Sequence, residues 1–217
     1  MMRNKKLLFW GIGLFLSFVI WTLALGFIDI QPIGVNGEYI GFASLNSFVH
    51  DYTGVNMFFY SLGDFLSIIP LGIVAVFGCM GFVQLIKRVS IFKVNKNILA
   101  LGVFYVIVLL IYVFFETIVV NYRPVLIDGQ VESSYPSSTT MLVLCVMITV
   151  FPEIRRYVKN MLLRRILSVL VLAFVLFMIA LRILSGVHWF SDIIGGILLG
   201  LSLSSVYIFI LRDGLKI

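Results

Sequence analysis

Long apolar runs fill the chain, and polar residues break them at only a few places. Runs at 7–27, 98–120, 166–184 and 192–211 are each long enough to cross a hydrocarbon layer of about 30 Å as a helix. A shorter run, 139–151, begins directly after a Pro-Ser-Ser sequence. The run 57–86 is too long for one straight crossing, and Asp64 and Pro70 within it predict a kink or an interfacial first third. The pattern predicts six spans. The connection 28–56 is polar and glycine-rich, but Leu45, Phe48, Val49 and Tyr52 recur at i, i+3, i+4 and i+7. That spacing predicts a short helix lying on the membrane surface.

Composition narrows the class. Hydrophobic residues make up 61% and charged residues 12%, about half the charged share of soluble domains. A soluble enzyme is excluded, and the expected fold is all-α: a polytopic bundle of six transmembrane helices plus the interfacial helix, one domain over residues 1–217. The basic start (Arg3, Lys5, Lys6) precedes an apolar run longer than a signal-peptide core, so an uncleaved first span is expected. Cys79 and Cys145 lie far apart in apolar runs and read as buried free thiols.

The net charge of +6 invites a nucleic-acid reading, which the distribution removes. With the N-terminus inside, every basic residue except Arg123 and Arg182 falls at a cytoplasmic end, Arg212 and Lys216 of the tail included. Lys and Arg bias loops to that side. The expected location is the cell membrane, with both termini cytoplasmic. Arg123 and Arg182 break the pattern at the outer ends of spans. Each alone is explained by snorkelling to headgroups; together they suit an anion site, because their planar forks match phosphate oxygens.

Three segments converge on that outer side. Asn121-Tyr122-Arg123-Pro124 is the first. Tyr135-Pro136-Ser137-Ser138-Thr139-Thr140 opens the fourth span, and its Pro and hydroxyls form a helix start. Its free amides suit phosphate, although a plain cap needs no ligand. The third holds Arg182, His188 and Asp192. His188 and Asp192 are four apart, which on a helix stacks them on one face. A carboxylate on one ring nitrogen would fix the tautomer and activate the other nitrogen.

In these motifs the chain resembles the type 2 phosphatidic acid phosphatase superfamily, whose fold vanadium haloperoxidases share. The family pattern is Lys, Arg-Pro seven residues later, then Pro-Ser-Gly-His, then Ser-Arg, five residues, His, three residues, Asp. Arg123-Pro124, Pro136-Ser137 and Arg182…His188…Asp192 match it in order, and the likeness spans roughly 50–205. The resemblance implies a nucleophilic His188 oriented by Asp192, with Arg123, Arg182, Ser137 and amides near Ser138 on the phosphoryl oxygens. It implies a phosphorylated lipid substrate, no metal and no cofactor.

The chain also departs from the pattern. Glu116 holds the Lys position, Ser138 the Gly, Thr139 the second His, and Leu181 the Ser before Arg. The expected general acid is therefore missing, a loss worth about 10²- to 10⁴-fold. Three remedies are expected. A lipid diphosphate offers a leaving group that needs little protonation. Glu116 could serve as a protonated acid, or pair with Arg123 when ionised. His50 could supply a proton from the outer connection. The competing expectation is an inactive family member that binds or moves phosphorylated lipid.

Overall fold

The computed structural model describes residues 2–214, with side chains for 5–212; Lys216 and the side chain of Arg3 lie outside the described part. Eight α-helices follow one another: α1 Met2–Leu25, α2 Ala43–Thr53, α3 Met57–Leu66, α4 Ile68–Arg88, α5 Lys96–Thr117, α6 Ser138–Tyr157, α7 Met161–Ser185 and α8 Phe190–Phe209. Six helical segments are long and apolar enough to cross a membrane, with α3 and α4 together forming one of them. The protein is an integral membrane protein of all-α architecture.

The helices alternate in direction, so the bundle has a basic end and an opposite end that carries the 118–137 and 186–189 connections. At the basic end the helices run further than the hydropathy suggests. Arg155 and Arg156 belong to the last turn of α6 and Arg164 to the start of α7, leaving only 158–160 non-helical. Cations near a helix C-terminus meet the negative end of its dipole.

The over-long run 57–86 is resolved by a break at Ser67. Its N–H and hydroxyl both bond back to the Gly63 carbonyl, the hydroxyl at 2.8 Å. Helix α3 closes on its own hydroxyl, and α4 sets off again with Pro70 in its first turn, where a missing N–H costs nothing. Packing follows the break: α3 lies against α7, while α4 stands off from α5. Between α4 and α5 opens an apolar groove of about 1110 Å³ lined by Leu71, Phe77, Gly78, Leu85, Gly102 and Tyr105, among others. A Cβ at Gly78 or Gly102 would meet nothing within 4 Å. The groove reaches Ser138 and Thr139 at the start of α6.

Helix α2 carries the expected stripe facing outward: Phe48 is 72% and Tyr52 87% exposed. Its inner face is polar. Asn46 is fully buried, donates to the Gly41 carbonyl at 2.9 Å and to Ser191 Oγ at 3.0 Å, and accepts the Ser191 N–H at 3.0 Å. Those bonds fasten α2 to the start of α8. Helix α1 packs along α8, where Ser202 donates to the Gly11 carbonyl at 2.9 Å. Cys145 is buried as expected, but Cys79 is exposed on α4, where apolar sequence faces outward instead of inward.

Candidate active site

The connection from α5 to α6 folds back on itself. Asp128 and Gly129 both have positive φ, 49° and 77°, and Ile127 and Gln130 exchange backbone bonds at 3.0 and 2.9 Å. That is the geometry an Asp-Gly turn favours. The fold-back sets Arg123 opposite Glu132, with its N–H on the Glu132 carbonyl at 3.1 Å, and Asn121 opposite Ser134, whose N–H reaches the Asn121 carbonyl at 2.9 Å. Tyr135, 1% exposed, then anchors the segment to the bundle. Its ring stacks on Phe18, its hydroxyl lies 2.6 Å from Thr22 Oγ1, and a Cβ at Gly195 would fall 2.5 Å from its ring. Glycine at 195 is what lets Tyr135, and with it Ser134, settle onto α8.

The α7–α8 turn is equally tight. Gly186 has φ +64°, and a Cβ there would fall 1.9 Å from the Gly54 carbonyl oxygen. His188 sits in this turn, two residues before α8, and Asp192 sits in the first turn of α8. The expectation of both side chains on one helical face is corrected: His188 is not helical, and the two do not bond each other. Ser134 stands between them. Its hydroxyl lies 2.6 Å from Asp192 Oδ2 and 2.9 Å from His188 Nδ1. A serine hydroxyl has one proton. The short contact to a carboxylate takes it, so the oxygen accepts from His188 Nδ1–H, and the Nε2 lone pair is left free. Asp192 is fully buried and also accepts Asn121 Nδ2 at 2.9 Å and the Trp189 N–H at 3.2 Å. Every contact on it is a donor.

Burial, then the charges of Arg123 and of Arg182, hold the His188 pKa well below its ordinary value of 6.5, against the opposing effect of a hydrogen bond that the imidazole donates to the Ser134 backbone. The folded protein therefore keeps a neutral imidazole where the unfolded chain takes a proton. Stability from this source is complete above pH 6.5 and drains as pH falls toward the lower folded pKa, at up to about 1.4 kcal/mol per pH unit. Thermal unfolding of wild type should therefore fall more steeply from pH 7 to pH 5 than that of His188→Gln. Parallel pH curves for the two proteins would contradict a buried neutral His188.

Both arginines reach the site, and each already faces an acid. Arg182, in the last turn of α7, has a side chain only 2% exposed. Its Nη2 bonds Asp64 of α3 and donates to Thr139 Oγ1 at 2.7 Å, while its Nε has no partner. Arg123 Nε lies 3.1 Å from Glu132 Oε2 but out of line for a hydrogen bond, and its Nη1 is unpartnered. The Tyr60 ring lies under both guanidinium groups, 5.8 Å from Arg123 and 5.4 Å from Arg182.

The other sequence candidates take different places. Glu116 pairs with the Ser133 hydroxyl and not with Arg123, and it lines a cleft together with His188, Ser134 and Ser138. Thr139 accepts from Arg182, so its oxygen serves that cation. Ser137 is fully buried and does not face the cleft. Its N–H goes to the Asp192 carbonyl at 2.9 Å, and its hydroxyl lies 3.0 Å from Thr140 Oγ1. Ser137 makes no side-chain cap, which leaves the first amides of α6, from Ser138 on, without a capping side chain. His50 packs against Trp189, with ring centroids 5.6 Å apart, and bonds none of these groups among the described residues. Ser134, Asn121, Tyr60 and Asp64 are site residues that the motif reading does not single out. Asp64 carried a signal, since an acid inside an apolar span marks a functional position by default.

Comparison with known proteins bears on the family and the fold. A family model described as the PAP2 superfamily matches residues 97–213, which takes in α5 through α8 and every motif residue from Glu116 to Asp192. The fold is similar to a crystal structure of the first transmembrane PAP2 type phosphatidylglycerolphosphate phosphatase from Bacillus subtilis, with TM-score 0.60 and 16% identity over 95% of each chain. At that identity the likeness is one of fold. No curated protein matches the sequence.

Proposed function

The chain belongs to the PAP2 superfamily, and from that premise we propose that it is a membrane phosphohydrolase. In this reading a single domain over residues 1–217 removes phosphate from a lipid phosphate or, preferably, a lipid diphosphate at the outer leaflet. The observation that carries it is the free Nε2 of a neutral His188 that feels the charges of two arginines, each with an unpartnered nitrogen.

Nε2 attacks phosphorus. The N–P bond forms as the bond to the leaving oxygen breaks, and the electron pair departs with that oxygen. Arg123, Arg182 and the first amides of α6 hold the phosphoryl oxygens as charge shifts. Ser134 and Asp192 stabilise the cationic phosphohistidine ring. Water then splits the N–P bond and returns phosphate and imidazole. Thr139 accepts from Arg182 through its hydroxyl oxygen, and an alcohol is too weak an acid to replace the histidine of the family pattern as proton donor. A diphosphate tolerates that, because it expels a lipid phosphate with a pKa of about 6, whereas an alkoxide resembles water at about 15.7.

The basic residues at the opposite end support cytoplasmic termini and an outward-facing site. The apolar groove between α4 and α5 leads from the bilayer to Ser138 and Thr139, so a lipid tail lies there while its headgroup meets His188. Purified protein should release phosphate from a lipid diphosphate at least tenfold faster than from the matching monophosphate, a modest part of the general-acid effect. Specific binding without release from either lipid would support the competing reading, a carrier of phosphorylated lipid in which Asp64 and Glu132 stand in for the anion.

A further inference from the structure

A threonine at position 139 leaves the second half of the reaction without help. To split the phosphohistidine, a water molecule must attack phosphorus and shed a proton as its oxygen bonds. A diphosphate removes the need for an acid in the first step, but its leaving group has departed by the second, and the need for a base remains. His188 cannot serve. Its Nε2 carries the phosphoryl group at that stage, and its Nδ1–H is on Ser134. Thr139 is an alcohol, as poor a base as it is an acid.

A carboxylate stands beside that threonine. Asp64 of α3 and Thr139 of α6 both accept from one nitrogen of Arg182, Nη2, so their oxygens are neighbours. The adjacent Nε of the same guanidinium is buried and has no partner. In the phosphohydrolase reading a phosphoryl oxygen takes it, which sets that oxygen and Asp64 side by side on one planar group. The face of α3 that delivers Asp64 is fitted to Arg182. Tyr60, Gly63 and Asp64 share it by their i, i+3, i+4 spacing; the Tyr60 ring lies 5.4 Å from the guanidinium carbon, and a Cβ at Gly63 would lie 3.8 Å from Nε. Exposure separates the two partners: the Arg182 side chain is 2% exposed and that of Asp64 46%. The acid meets water while the cation does not, and a base that works once per turnover has to return its proton to solvent. The other acids are less well placed. Glu132 faces Arg123, which has no bond to Thr139, and Glu116 is held by the Ser133 hydroxyl and bonds neither arginine.

We propose that Asp64 is the general base of the second step. A proton passes from the attacking water to an Asp64 oxygen as the O–P bond forms. The N–P bond breaks with its electron pair returning to Nε2, and Asp64 then gives the proton to solvent. The inference rests on the phosphohydrolase reading and adds a catalytic residue to it.

The test mixes the full-length protein in detergent with a long-chain alkyl diphosphate labelled in its terminal phosphate. It reads two rates: formation of the phosphoprotein in the first turnover, and steady release of phosphate. Asp64→Asn keeps an oxygen for Arg182 Nη2 and removes the base. It should form the phosphoprotein as fast as wild type but release phosphate about 100-fold more slowly, the lower end of what a positioned base contributes. Most of the variant should then be trapped as phosphoprotein during turnover, because single-turnover and steady-state rates separate the two steps. Asp64→Glu keeps a carboxylate; it should recover part of the release and lower the trapped fraction, and it carries the comparison if the Asn variant does not fold. Equal losses in both rates would make Asp64 only a support for Arg182. Unchanged or faster release would make it a stand-in for the phosphoryl anion. Trapping in Glu116→Gln or Glu132→Gln, but not in Asp64→Asn, would move the base to that acid. Each of these three results overturns the proposal. A wild type that forms no phosphoprotein and releases no phosphate instead sinks the phosphohydrolase reading, and the proposal with it.

Discussion

Replacing His188 with Gln should lower phosphate release by at least about 1,000-fold from every lipid the wild type accepts, because a nucleophile has no substitute in the step it performs. Gln is the informative replacement. Its amide can still donate to Ser134, so the bonds from Ser134 to Asp192 and from Asp192 to Asn121 survive. What disappears is the lone pair aimed at phosphorus. A rapid quench with substrate labelled in its terminal phosphate should trap an acid-labile, alkali-stable phosphoprotein in wild type and none in His188→Gln. The variant should still bind lipid, since both arginines and the groove are untouched. Retention of more than a tenth of the activity would place the nucleophile elsewhere or assign the chemistry to a water molecule. His50 would then be the first residue to examine, being the other histidine of the chain, although it packs on Trp189 and bonds no site group.

The helices were legible because their cause is local. Hydrophobic runs set by the bilayer's thickness announce themselves in one dimension, and so did the stripe on α2 and the trouble at 57–86. Arg123 and Arg182 were legible for a related reason: a basic residue at the wrong end of a span departs from a rule that holds along the whole chain. Partner choice was not legible. Glu116 lies seven residues before Arg123, yet Arg123 faces Glu132, because the Asp128-Gly129 turn brings 132 back across 123. The turn dipeptide is in the sequence, but nothing along the chain says which residues it brings face to face. Asp64 is 118 residues from Arg182 and meets it only because α3 breaks from α4 and leans on α7. Long-range pairings of this kind depend on how helices pack, and hydropathy is blind to that. The spacing of His188 and Asp192 fitted a helical pair, but the helix begins between them, and a four-residue interval says nothing about where a helix starts. Ser137 misled in a similar way. It fits the motif, but its hydroxyl and amide are used inside the α6–α8 contact, while Ser134, three residues earlier, stands between His188 and Asp192.

That difference leads to an unequal pair of effects. Ser134→Ala should lower kcat by about 100-fold or more, the lower end of what a positioned proton-handling group contributes, with KM little changed. Asp192→Asn should cost only about tenfold. In Ser134→Ala the imidazole loses the oxygen that holds Nδ1–H, so nothing in the relay fixes the tautomer with a free Nε2. Asp192 Oδ2 is left with the Trp189 N–H alone at 3.2 Å. In Asp192→Asn the relay persists. The Asn carbonyl can take the Oδ2 place and accept from Ser134 and Trp189, and its NH₂ then faces Asn121, whose amide can turn its own oxygen inward. What that variant loses is the negative charge behind the serine, and with it part of the stabilisation of the cationic phosphohistidine. The order would be reversed if Asp192 acted on His188 directly. Measuring kcat for both variants, with thermal unfolding to confirm that each is folded, decides between the two arrangements. Ser134→Thr sharpens the comparison, because it keeps the hydroxyl and should recover most of the lost rate, whereas a role for Ser134 in packing alone would make the bulkier residue the worse one.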